Sequence, residues 1–201
     1  RQPRSTLFPY TTLFRSPYKS FAAFTRLEKQ GQAERIHSVS GPLGRIDVFH
    51  SPAFHGTFFA GPSAEASPPP QLALLVDGIL AGSIIAGAPG DDAILEHTPQ
   101  SVPYSLVGKP RVLLLGDAGT ANIRLAGDRG AVSVTLVQGD RNIVGALDGR
   151  TLGGRAPALP LFAALVHDDP RRFLRRTSPG YDIVQIAARS EEHTSELQSP
   201  N

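Results

Sequence analysis

The residues best placed to do chemistry are Gly116-Asp117-Ala118-Gly119-Thr120, which follow the apolar run 112–115 and lead into 121–126. A short continuous apolar run is the pattern of a strand buried on both faces of a parallel sheet. Two glycines three positions apart then allow a tight turn, and a helix is expected to start near Thr120. Strand, glycine turn and helix start together would offer unpaired backbone N–H groups and the positive end of a helix dipole to a nucleotide-like ligand. The same pattern also occurs in plain βα turns that bind nothing, so the surrounding elements carry the argument. Other chemistry-bearing residues form no comparable constellation. His37, His50 and His55 match no metal-ligand spacing and have no evident carboxylate partner, so they read as strand-surface residues and no metal is expected. Arg171, Arg172, Arg175 and Arg176 crowd one short helix with Phe173, which reads as a solvated face and not as a nucleic-acid site.

Those turn residues need a framework, and the chain supplies one in two parts. Residues 21–32 are mixed in pattern, a helix turn or the remnant of an upstream element. Segments 35–39 and 45–50 alternate apolar with polar residues around Gly41-Pro42-Leu43-Gly44, which predicts a β-hairpin. Residues 56–71 hold Gly56, Gly61 and the run Pro68-Pro69-Pro70 and read as a loop, because consecutive prolines cannot feed a sheet ladder. A second hairpin follows, with strands 71–76 and 79–85 about an Asp77-Gly78 turn. The character then changes. Asp91 and Asp92 mark a helix start, and Pro99 and Pro103 should kink or divide that helix. Beyond the glycine turn, a β-branched strand over 131–137, a helix over 140–147, a strand over 161–166, a helix over 169–176 with Pro170 in its first turn and a strand over 181–186 alternate regularly. The expected fold class is α/β, a small N-terminal antiparallel β module followed by a truncated Rossmann-like parallel sheet.

Both ends of the chain look foreign to that pattern. Residues 6–16 and 189–200 resemble translated sequencing-adapter oligonucleotides: Leu13-Phe14-Arg15-Ser16 can be coded CTC TTC CGA TCT, whose reverse complement reads Arg-Ser-Glu-Glu, the residues at 189–192. The expected organisation is therefore an artefactual tail over 1–16, a β-hairpin module over 17–90, a partial Rossmann-like domain over 91–188 and a second artefactual tail over 189–201. Setting the tails aside leaves 16 basic and 15 acidic side chains of the original 20 and 18, too even a balance to argue for a nucleic-acid partner. The absence of cysteine excludes disulfides and thiolate metal sites. No apolar run approaches the roughly 18 residues of a membrane span. The expected location is the cytoplasm, with membrane fusion in a longer parent left open.

The ordered series carries a family resemblance. A β module ending in Leu74-Leu75-Val76-Asp77-Gly78, an acidic helix start, then Pro110-Arg111-Val112-Leu113-Leu114-Leu115-Gly116 and a class I methyltransferase-like sheet resembles the spermidine synthases (polyamine aminopropyltransferases) and their divergent bacterial relatives. Segment 40–48 is similar to their N-terminal strand region, and segments 169–174 and 181–184 resemble their third-strand acidic motif and fourth strand. The likeness extends over most of 35–188. It implies S-adenosylmethionine or its decarboxylated form as substrate, an amine as acceptor and a homodimer in a longer parent. By position, Gly116, Asp117 and Gly119 match the family's glycine turn around the methionine part, and Gln138 stands where an acid would hold the ribose hydroxyls. Asp169 or Asp168 matches the adenine contact. Ligands of open α/β sheets sit beyond the carboxyl ends of the strands, which suits this assignment.

Departures from the family pattern shape the functional expectation. Ala118 adds a methyl group to the turn, and Gln138 replaces the ribose-binding acid, with Asp140 two residues on as the substitute. In the segment corresponding to the family's tyrosine, histidine and glutamate, this chain has Ile94-Leu95-Glu96-His97-Thr98. The general base of aminopropyl transfer follows the fourth strand in the family, where this chain reaches Ala187-Ala188 and the adapter-like tail. The catalytic residues therefore stay unassigned, and the fragment is expected to be inactive. A class I methyltransferase and a non-catalytic relative acting as a binding module are the alternatives.

Overall fold

The structure, a computed structural model, describes residues 20–54, 69–87, 93–177 and 180–187. The first hairpin forms as its turn chemistry predicts, with β1 (Glu34–Gly41) antiparallel to β2 (Gly44–His50). The second pairs β3 (Gln71–Val76) with β4 (Ile79–Ile85), where Asp77 and Gly78 both take positive φ, the requirement of a tight turn matching the strand twist. These strands make one four-stranded sheet in the order β1-β2-β3-β4. The expected loop falls largely on 55–68, outside the described residues, as does His55.

Each face of this sheet has a different cover. Ile46, Val48, Leu72, Leu74, Val76 and Ile84 join the large core, while Phe49, Ala73 and Leu75 face a helix, α1 (Ser20–Lys29). The sequence reading had only a helix turn here. The observed helix is ten residues long, and its stability comes from packing: Phe24 stacks on Phe49 with ring centroids 5.1 Å apart, and Phe21 meets the same ring edge-on at 6.1 Å. Under α1 lies Asp47, 0% exposed, with Arg45 donating from Nη2 to its Oδ1 at 2.9 Å and Arg45 Nε 2.9 Å from Oδ2. Arg35 bridges this group to the helix, with Nη2 2.8 Å from Glu28 and its guanidinium 5.2 and 5.1 Å from the Phe21 and Phe49 rings.

The second half is an open parallel sheet, as expected. Its strands are β5 (Arg111–Leu115), β6 (Ser133–Gln138), β7 (Ala163–His167) and β8 (Ile183–Ile186), in the order β7-β6-β5-β8. Helices α2 (Ala121–Asp128) and α3 (Arg141–Leu147) cover one face through Ile123, Leu125, Ala126, Ile143, Ala146 and Leu147. Helix α4 (Pro170–Arg176) lies on the other, where Phe173 packs against Leu113, Leu115 and Val137. Before β5, the expected helix is instead two 3₁₀ turns, Ala93–His97 and Pro99–Ser105. Pro99 divides them and Pro103 sits inside the second, since proline has no N–H for an α-helical ladder. Asp91 and Asp92 lie outside the described residues. Strand β8 is an edge strand that leaves Val184 and Ile186 exposed.

One buried cluster includes residues of both sheets, from Ile46 and Leu74 to Val112, Leu114 and Leu136. The glycine turn after β5 makes a direct backbone contact between the two halves. It covers the free edge of β4: Thr120 N donates to Ser83 O at 3.0 Å, and Ile85 N donates to Thr120 Oγ1 at 2.8 Å. A threonine before a helix usually caps it, yet this hydroxyl makes no cap bond and is used on β4 instead.

Candidate functional site at the strand tips

The carboxyl ends of β5, β6 and β7 bring together the residues that the sequence singled out. Gly116 has φ +74°, and a β-carbon built on it would meet nothing within 4 Å, so the turn begins in left-handed backbone beside open space. Asp117 follows, nearly buried. Its Oδ1 accepts from Gly119 N at 3.0 Å and its Oδ2 from Asn122 Nδ2 at 2.6 Å. Burial pushes the Asp117 carboxyl above the usual range, against the opposing hydrogen bonds from Asn122, Gly119 and Ala118.

This geometry corrects the expected role of the turn. The N–H groups of Ala118 and Gly119 bond to the Asp117 carboxyl, and that of Thr120 bonds to Ser83. They are not the unpaired donors that a phosphate cradle requires. Gly119 has its own reason to be glycine, because an added β-carbon would stand 2.7 Å from Ser83 O on β4. Ala118 is buried, and its carbonyl oxygen would lie 2.5 Å from a β-carbon on Gly82. Of the two turn glycines, Gly116 has open space beside its α-carbon and Gly119 faces the N-terminal sheet.

Gln138, at the end of β6, is buried and bonded at both ends of its amide. Nε2 donates to Asp117 O at 2.8 Å, and Oε1 accepts from Asp140 N at 3.1 Å. Asp140 caps α3 by accepting from Asn142 N at 2.8 Å. At the end of β7, Asp169 caps α4 by accepting from Arg172 N at 2.8 Å and remains exposed. Asp168 is buried: its Oδ1 accepts from Asp169 N at 2.8 Å and from Arg172 Nε at 2.6 Å, while Oδ2 accepts from Arg176. Two of the four arginines read as a solvated face are therefore committed to an ion-pair cluster, because one helical turn places residues 172 and 176 on the same side.

Burial by itself raises the Asp168 carboxyl, but the hydrogen bonds from Arg172 and Asp169 and the charges of Arg172 and Arg176 outweigh it and hold it below the usual range. A depressed folded value contributes stability above the unfolded carboxylate value of 3.8, and that contribution disappears as pH falls through the folded one. Urea midpoints of the full chain and of Asp168→Asn should therefore differ at about pH 7 and converge in strong acid. A difference independent of pH would show that the ion pairs contribute nothing.

The other candidates lie apart from this network. Glu96 is 3.5 Å from Arg129, and Glu96 and His97 are both exposed. His37 and His50 lie on β1 and β2, and among the described residues no His, Cys, Asp and Glu group is arranged to hold a metal. A shallow cleft lined by Gly31, Gln32, Glu34 and His50 belongs to the antiparallel sheet and not to the strand tips, and Glu34 there is held by Arg155 at 2.6 Å. Among the described residues no helix is long and apolar enough to cross a membrane. Sequence reasoning missed Asn122 and Ser83 as partners of the turn and the bonding of Thr120 to β4, since nothing local announces which strand edge a turn will meet.

An antiparallel four-stranded sheet followed by a parallel sheet with helices on both faces is the methyltransferase-like α/β fold of the spermidine synthases. The chain is similar to a spermidine synthase solved in complex with the transition state analogue AdoDATO, with a TM-score of 0.50 and 19% identity over 78% of this chain and 47% of that one. It is likewise similar to the spermidine synthase of Thermotoga maritima, with a TM-score of 0.50 and 18% identity over 77% of this chain and 48% of that one. The chain thus spans about half the length of these structures. No family model and no curated protein matches it.

Proposed function

We propose that the strand tips bind an S-adenosyl nucleoside, and that the longer protein transfers an aminopropyl group from decarboxylated S-adenosylmethionine to an amine acceptor. The observation that carries this reading is the open space beside Gly116 at the tip of the first parallel strand, in a fold shared with a protein that binds AdoDATO. In the reaction the amine lone pair attacks the carbon bonded to the sulfonium, the C–S bond breaks with its electrons going to sulfur, and the amine loses a proton. Of the positions assigned from the sequence, Gly116 and the exposed Asp169 stay open to a nucleoside, while the polar groups of Asp117, Gly119, Gln138 and Asp168 are held by other partners and would line the site behind them.

The test is a thermal shift of the full chain with each donor. A ligand at a hundred times its Kd stabilises by about 2.7 kcal/mol, enough to move the transition by several degrees. A larger shift with decarboxylated S-adenosylmethionine than with S-adenosylmethionine is expected. The reverse order supports a methyltransferase. No shift with either supports a non-catalytic module, a reading favoured by the internal pairing of both Gln138 and Asp168.

A further inference from the structure

We propose that Gln138 is a positioning residue that clasps the three tip loops together, so that ribose hydroxyls do not set the affinity of the nucleoside ligand. The inference rests on the nucleoside reading above and adds to it how the sugar is treated. Three bonds carry it. The side-chain Nε2 holds the β5 turn through Asp117 O at 2.8 Å, Oε1 holds the start of α3 through Asp140 N at 3.1 Å, and the main-chain oxygen accepts from Asp168 N, on the β7 loop, at 3.2 Å.

The chemistry of the side chain is specific. The position needs one donor and one acceptor at the same reach, which an amide supplies and an ionised carboxylate does not. Gln138→Glu, the substitution that installs an acid at the end of β6, would place a carboxylate oxygen 2.8 Å from the Asp117 carbonyl in a buried site. It should loosen the tips rather than improve sugar binding. A protonated glutamic acid, however, can donate to Asp117 O and accept from Asp140 N as the amide does.

Two arms test this on the full chain. In the first, the urea midpoint of Gln138→Glu should fall below that of the parent by roughly 1 M at about pH 8, and the gap should close by at least about half near pH 5. Gln138→Met, equal in reach and without hydrogen bonds, should show a gap that does not close. The titratable and charged groups around the clasp are Asp117, Asp140, Asp168, Arg172, Arg176 and His167, whose ring nitrogen lies 3.2 Å from Gly139 O. All are present in every variant, so their titration largely cancels in the difference. Gln138→Glu as stable as the parent at the higher pH, or a gap unchanged by acid, overturns the clasp.

In the second arm, calorimetry compares 5′-methylthioadenosine with its 2′-deoxy analogue. A carboxylate reading the sugar would make loss of a hydroxyl cost about 10- to 100-fold in affinity. The expected ratio here is within about threefold, and a ratio above about tenfold overturns the ribose inference. If neither nucleoside binds, the nucleoside reading itself fails, and the clasp is judged by the stability arm.

Discussion

Gly82→Ala is expected to remove about 3 kcal/mol of stability, or to abolish the cooperative urea transition of the full chain. The added β-carbon would stand 2.5 Å from Ala118 O, 2.6 Å from Ala118 C and 2.9 Å from Gly119 N. All three are backbone atoms of the turn, so no side-chain rotation relieves the contact. The turn is itself fixed by Thr120 on β4 and by Gln138 from β6, so relief requires the two sheets to move apart and uncover shared core. Gly108→Ala is the control: a β-carbon there meets nothing within 4 Å, and the change should stay within about 0.5 kcal/mol. Equal midpoints for the two variants would refute the close approach of β4 to the turn.

Asp47→Ala should cost about 3 kcal/mol, whereas Glu34→Ala should cost less than about 1 kcal/mol, although both delete a carboxylate paired with arginine. The difference lies in burial. Glu34 and Arg155 are 56% and 45% exposed and are rehydrated when parted, while the Asp47 side chain is 1% exposed beneath α1. Without it, Arg45 and Arg35 keep their positions over Phe21 and Phe49 with an uncompensated positive charge. Their own exposures, 43% and 26%, place the expected cost at the lower end of the range for broken buried pairs. Paired urea titrations of the two variants decide the point, and equal losses would contradict the burial argument.

The element order was legible because it rests on local rules. The alternation of 45–50 about Gly41-Pro42-Leu43-Gly44, the Asp77-Gly78 turn, the apolar run 112–115 and Pro170 in the first turn of α4 each restrict the backbone within a few residues. Helix α1 was underread because a short Phe21 and Phe24 stripe is weak evidence until Phe49 is opposite it. Asp47 sits at a polar position of an alternating strand, which locally indicates solvent. Only the docking of α1 turns that face into an interior, and Arg35 and Arg45 then become its partners.

The candidate site divides in the same way. Sequence alone determined that Gly116, Asp117, Gly119, Gln138, Asp168 and Asp169 stand at the ends of consecutive parallel strands, because strand periodicity and turn chemistry are properties of neighbouring residues. Tertiary structure decided what their polar atoms do. The hydrogen bonds of Gln138 to Asp117 and of Thr120 to β4 span 21 to 37 positions. Such bonds form only after strands that are distant in sequence are packed side by side. A hydrogen-bonding group inside a protein takes whichever partner that packing brings within reach, and no local pattern of residue types specifies it.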